Sequence, residues 1–158
     1  MSSSAGTART DAKSTEGDKT PAQLFAYVAG AVLVLAGLIG FVADSSFNTG
    51  SDIDGDKLLG ILEVNGIHNI VHLASGLLLL AVAPKRATAR LGVLAFGAVY
   101  AIVTLIGLID GNDVLGLIPV NPADNVLHIA LTVAALAAGA VSSDKDARPA
   151  GNGGRTAR

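Results

Sequence analysis

Residues 59–81 read LGILEVNGIHNIVHLASGLLLLA, and residues 115–137 read LGLIPVNPADNVLHIALTVAALA. The two stretches align without a gap. Leu59, Gly60, Val64, Asn65, Asn69, His72, Ala74 and Ala81 fall on Leu115, Gly116, Val120, Asn121, Asn125, His128, Ala130 and Ala137. Apolar matches between membrane helices arise easily, but two asparagines and a histidine in register do not. The preceding segments agree as well, Leu38-Ile39-Gly40 corresponding to Leu105-Ile106-Gly107. The chain therefore reads as a tandem duplication of one helix pair, with a longer loop inside the first copy.

Around these stretches lie four apolar runs, at about 24–43, 66–83, 91–109 and 122–141. A bilayer span takes about 20 residues, with a range near 17–25. The first and third runs meet that length outright, and the second and fourth reach it with their capped first turns included. The first and third also lack a polar face, and a small soluble domain could not bury four such helices completely. Hydrophobic residues make up 51% of the chain and charged residues 15%. Mean hydropathy is +0.55. Glycine is abundant and aromatics are few, which suits helices packed through small side chains. Candidate contacts of that kind are Ala26, Gly30, Ala36 and Gly40 in the first run, and Gly97, Ala101 and Thr104 in the third. The first run exceeds a signal-peptide core and continues into further spans, so it reads as a retained helix.

Orientation comes from the short loops. The segment PKRATAR carries Lys85, Arg86 and Arg90 without an acid, and the C-terminal tail carries Lys145, Arg148, Arg155 and Arg158. The other two loops are acidic: Asp44, Asp52, Asp54, Asp56 and Glu63 against Lys57, and Asp110, Asp113 and Asp124 with no base. The positive-inside rule places both termini in the cytoplasm and the acidic loops outside. The expectation is a multi-pass protein of the inner (plasma) membrane. Both repeats start on the same side, so they run parallel about a pseudo-twofold axis along the membrane normal. Residues 1–22 and 142–158 are polar, low in apolar content and expected to be disordered.

The motif pair NGIHNIVHLASG (65–76) and LGLIPVNPADNVLHIAL (115–131) resembles the domain-of-unknown-function 4383 family of small bacterial four-helix membrane proteins. The resemblance covers the four runs and omits both tails. It implies the fold and no activity.

Within the motifs, Asn121-Pro122-Ala123-Asp124 has the residue order of a capped helix start, with Pro at the first position and an acid at the third. Asn65-Gly66-Ile67-His68 keeps the cap and puts His68 at the third position. His72 and His128 follow their caps by seven residues, about 10 Å along a helix. Ionisable side chains at such depth face the bundle interior. They can be neutral polar ties, with Asn69 and Asn125 one turn away as partners. They can also bind. His68 and His72 stand at i and i+4, Asp124 and His128 repeat that spacing, and three imidazoles with a carboxylate suit a zinc-like ion. His72 and His128 could instead be axial ligands of a haem.

The carboxylates at Asp52, Asp54, Asp56 and Glu63 echo a calcium loop. Lys57, however, takes the place that needs glycine, and the second repeat lacks the run, which favours a solvated loop. His68-Asn-Ile-Val-His72 echoes the zincin helix, with Asn69 where the catalytic Glu must stand. Cysteine is absent, which removes thiolate chemistry. The net charge of −2 gives no nucleic-acid footprint, and no phosphate loop or nucleophile–base motif is present. The sequence points to an all-α, up-down four-helix membrane bundle, non-enzymatic, structural or partner-binding. Its partners are the lipid bilayer and itself or another membrane protein. The polar cluster is Asn65, Asn69, Asn121 and Asn125, and the alternative is a metal-, haem- or ion-binding protein acting as a small transporter or redox component.

Overall fold

The computed structural model describes residues 18–51 and 53–142. The expected disordered tails fall almost wholly outside these residues, as do the C-terminal basic residues and Asp52. Four helices form the body: α1 (Pro21–Ala43), α2 (Gly66–Val82), α3 (Arg86–Asp110) and α4 (Pro122–Val141). Three of them, α1, α3 and α4, are long and apolar enough to cross a membrane. α2 has 17 residues, so it is about 26 Å long at 1.5 Å per residue, shorter than the other three. In each long helix only 33% of the most apolar window is buried inside the protein. Side chains such as Val42, Leu78, Leu91 and Val126 face outward, and so much exposed apolar surface is compatible with a membrane protein.

α1 packs chiefly on α2, and α3 on α4. The close face of α1 is Ala22, Ala26, Ala29, Gly30, Leu33, Gly37 and Gly40, a stripe at helical spacing in which Gly37, rather than Ala36, carries the seam. At the crossing with α2, a Cβ on Gly30 would stand 3.0 Å from the Gly76 carbonyl oxygen, and one on Gly76 would stand 2.7 Å from that of Gly30. The two backbones touch because neither residue has a side chain. Phe25 meets Phe96 at 5.9 Å, and Phe96 stacks on Tyr100 at 4.0 Å, joining the two pairs through the core.

PKRATAR is not the loop that its charge suggests. α3 begins at Arg86, and Arg-Ala-Thr-Ala-Arg forms its first turns, as Ala and Arg favour helix. At this end Thr20 and Gln23 form a capping box. Buried Gln23 also donates to the carbonyls of Ala83 (3.0 Å) and Pro84 (3.1 Å), where α2 stops. Ser142 accepts from the Ala22 N–H at 2.8 Å, so the start of α1 holds the ends of α2 and α4.

The acidic connections contain strands that an all-α reading omits. β1 (Asp56–Leu58) pairs antiparallel with β2 (Leu62–Val64), and β3 (Asp113–Val114) with β4 (Ile118–Pro119). Leu59 and Gly60 have φ of 54° and 74°, and Leu115 and Gly116 have 59° and 65°. Two successive positive-φ residues make the turn that suits the twist of a hairpin. Glycine supplies one of them freely, but leucine in this region costs roughly 1–2 kcal/mol. Leu59 is 81% exposed, so it has little packing to lose. Leu59→Asn is therefore expected to raise stability by about 1 kcal/mol or less, since Asn tolerates this conformation. The unfolding midpoint in detergent should rise, and a fall would mean that the leucine itself anchors the hairpin.

Candidate functional site

The polar residues of both motifs meet at the hairpin end of the bundle. Asn65 caps α2, its Oδ1 accepting from the His68 N–H at 2.8 Å. Asn121 caps α4, accepting from the N–H groups of Ala123 (2.8 Å) and Asp124 (3.1 Å). Each cap also reaches into the other half. Asn65 Nδ2 donates to the Leu117 carbonyl at 3.0 Å, and Asn121 Nδ2 donates to the Ile61 carbonyl at 2.8 Å. Gly50 N–H reaches the Gly116 carbonyl at 2.9 Å.

Asp124 is a strut and not a member of the histidine group. Its Oδ2 accepts from the Asn121 N–H (2.9 Å), closing a capping box, and from the Glu63 N–H in the opposite hairpin (3.0 Å). Of the four candidate ligands His68, His72, Asp124 and His128, the three imidazoles group together, while Asp124 Oδ2 holds two backbone donors. Glu63 in turn accepts from the Gly55 N–H at 3.0 Å. The stretch expected as an acidic loop is a hairpin, with Asp56 opposite Val64. Asp44 binds the Ser46 N–H (2.6 Å) and the Asp56 N–H (3.2 Å). Burial works to raise the Asp44 carboxyl, but hydrogen bonds from Ser46 and Asp56 outweigh it and hold the group below its ordinary pKa.

Asn69 and Asn125 are buried, as is each of the histidines, but they do not partner His72 and His128. Asn69 Nδ2 donates to the Asp44 carbonyl at 2.8 Å, and Asn125 Nδ2 to the Gly107 carbonyl at 3.4 Å. The asparagines therefore bond the ends of the preceding helices, Asn125 sharing the Gly107 carbonyl with the Gly111 N–H. Proximity in sequence placed them correctly on the inward face and misled about their partners.

The histidines group together instead. One ring nitrogen from each of His68, His72 and His128 lies within 4.8 Å of the others. The rings of His68 and His72 are 4.3 Å apart, those of His68 and His128 are 6.0 Å apart, and Tyr100 meets His128 edge-on at 5.5 Å. Haem ligation by His72 and His128 needs a flat macrocycle between two imidazoles, and here His68 and Tyr100 are packed against those rings. Tyr100, which the sequence did not single out, also shares a 3.2 Å hydrogen bond with Ser75. Both line an apolar groove of about 340 Å³ between α2 and α3.

Comparison with curated proteins and with solved structures finds no match. A family model, the domain of unknown function DUF4383, matches residues 23–141. That span takes in α2, α3, α4, all but the first two residues of α1, both hairpins and the whole polar layer, and the chain belongs to the DUF4383 family.

Proposed function

We propose that this protein is a non-enzymatic scaffold of the inner membrane, structural or partner-binding, built by duplication of a helix–hairpin–helix unit. The observation that carries the reading is the reciprocal clasp: Asn65 to Leu117, and Asn121 to Ile61. Donors and acceptors are equivalent positions of the two repeats, which is the pattern of a pseudo-twofold axis running along the bundle. Matching turns at Leu59-Gly60 and Leu115-Gly116 support it. So do Gly40 and Gly107, each of which faces the asparagine of its own half. α2 then serves as the fourth span, its capped start at the depth of the interface. Most of the buried polar side chains in this layer are used to hold backbone, which is the economy of a scaffold. The groove between α2 and α3 offers a seat for a second copy or another membrane helix.

Topology and role can be tested together in this cysteine-free chain. Ser51→Cys and Asn112→Cys should react with an impermeant thiol reagent from outside the cell, and Lys85→Cys only after the membrane is opened. The reverse pattern would invert the topology. Leu78→Cys, at the lip of the groove, should be coupled by a bifunctional reagent in native membranes, to another copy or to a membrane partner. Coupling to neither would remove the partner-binding role.

A further inference from the structure

Three imidazoles are left over once the hydrogen bonds of the polar layer are assigned. His68 and His72 share one face of α2, and His128 comes from α4 in the other half. They are 2%, 7% and 4% exposed. Nδ1 of each has no hydrogen-bond partner among the described residues. Buried polar atoms are normally paired; Oδ1 of Asn69 and of Asn125 and Oγ1 of Thr132 share this state, but only the three rings also bring one nitrogen each within 4.8 Å of the others, which points to something that they share.

The repeat is asymmetric at one decisive place. The third position of α4 is Asp124, which closes its own capping box, and the third position of α2 is His68. This single difference adds a third ring to the pair at His72 and His128. The His68 ring lies against the backbone of Glu63 and Pro119. The Glu63 N–H in turn rests on the Asp124 carboxylate.

We propose that His68, His72 and His128 form a binding site for a divalent transition-metal ion, zinc in the first instance, between the two halves. This site lies beyond the scaffold reading and does not depend on it. The donor set selects the metal class. Imidazole suits zinc, copper(II) and nickel, whereas calcium and magnesium need oxygen ligands. The chain has no cysteine and a single methionine at position 1, so the thiolate and thioether ligands that select copper(I) are missing. Tetrahedral zinc, with Zn–N of about 2.0–2.1 Å, places its nitrogens about 3.4 Å apart. Nitrogens already within 4.8 Å reach that spacing by small ring rotations. Three protein ligands leave a fourth position for water or another small ligand.

The test uses the full chain purified in detergent and stripped with a chelator. Calorimetric titration with zinc chloride should saturate at one ion per chain and raise the thermal unfolding midpoint. His72→Gln and His128→Gln should each weaken binding by more than the roughly 100-fold that loss of an outer-sphere partner can cost. Both should abolish the midpoint shift. The double change Asp54→Asn with Asp56→Asn, on the acidic hairpin, should leave binding intact. Should the histidine variants fail to fold, cobalt(II) added to the wild-type chain still decides. A strong visible absorption of tetrahedral cobalt supports the site, and the weak spectrum of a six-coordinate ion overturns it. Absence of saturable zinc binding, or binding that survives both histidine changes and fails in the acidic variant, also overturns it.

Discussion

Asp124→Ala should be among the most damaging single changes in this protein, lowering stability by about 3 kcal/mol or more. One oxygen, Oδ2, accepts from the Asn121 and Glu63 N–H groups, and Asp124 is 2% exposed. Truncation leaves both part-buried donors without their protein partner, at about 1–3 kcal/mol each. It also removes the favourable negative charge at the start of α4, worth about 0.3–1 kcal/mol. Asp124→Asn separates these contributions. An amide oxygen in the Oδ2 position keeps both hydrogen bonds, so this variant should lose only about 1 kcal/mol. Equilibrium unfolding in mixed micelles measures both. Equal losses in the two variants would show that charge, and not the shared acceptor, is what Asp124 contributes.

Gly40→Ala should cost about 2–3 kcal/mol, and Gly107→Ala distinctly less. A Cβ at Gly40 runs into the side-chain amide of Asn69. Asn69 is fully buried and donates to the Asp44 carbonyl, so it cannot yield without giving up that bond. Overpacking costs about 1–3 kcal/mol and the broken bond adds to it, while alanine's better helix propensity returns about 1 kcal/mol. At Gly107 the added carbon would stand 2.8 Å from Asn125 Oδ1 and 3.2 Å from Val120 Cγ2. The Asn125 bond is already long at 3.4 Å, so a small shift there forfeits little. The same unfolding assay ranks the pair. If Gly40→Ala proves as stable as wild type, the close approach of α1 to Asn69 is not a constraint on the fold.

The helix caps were legible because capping is local chemistry: Asn65 and Asn121 bond N–H groups two or three residues away, within reach of a short motif. The asparagine partners were not legible, since the Asp44 carbonyl that Asn69 meets lies 25 residues off. Nothing in the amide says which helix end will arrive beside it. The hairpins were missed for a related reason. The strands are two or three residues long, too short for alternation to register. Their turns also put leucine where positive φ is usually marked by Asn or Asp.

Sequence by itself determined the apolar helices, the capped starts of α2 and α4, the register of the two Asn/His motifs and the inward placement of His72 and His128. Each follows from hydropathy, periodicity or hydrogen bonds closed within one turn. Only the tertiary structure decided that Asp124, besides closing its own cap, accepts from the Glu63 N–H of the opposite hairpin, and that His68 joins His72 and His128 in one nest. A carboxylate with two N–H donors in reach is held by them, and which donors come into reach depends on how α4 packs against the opposite hairpin.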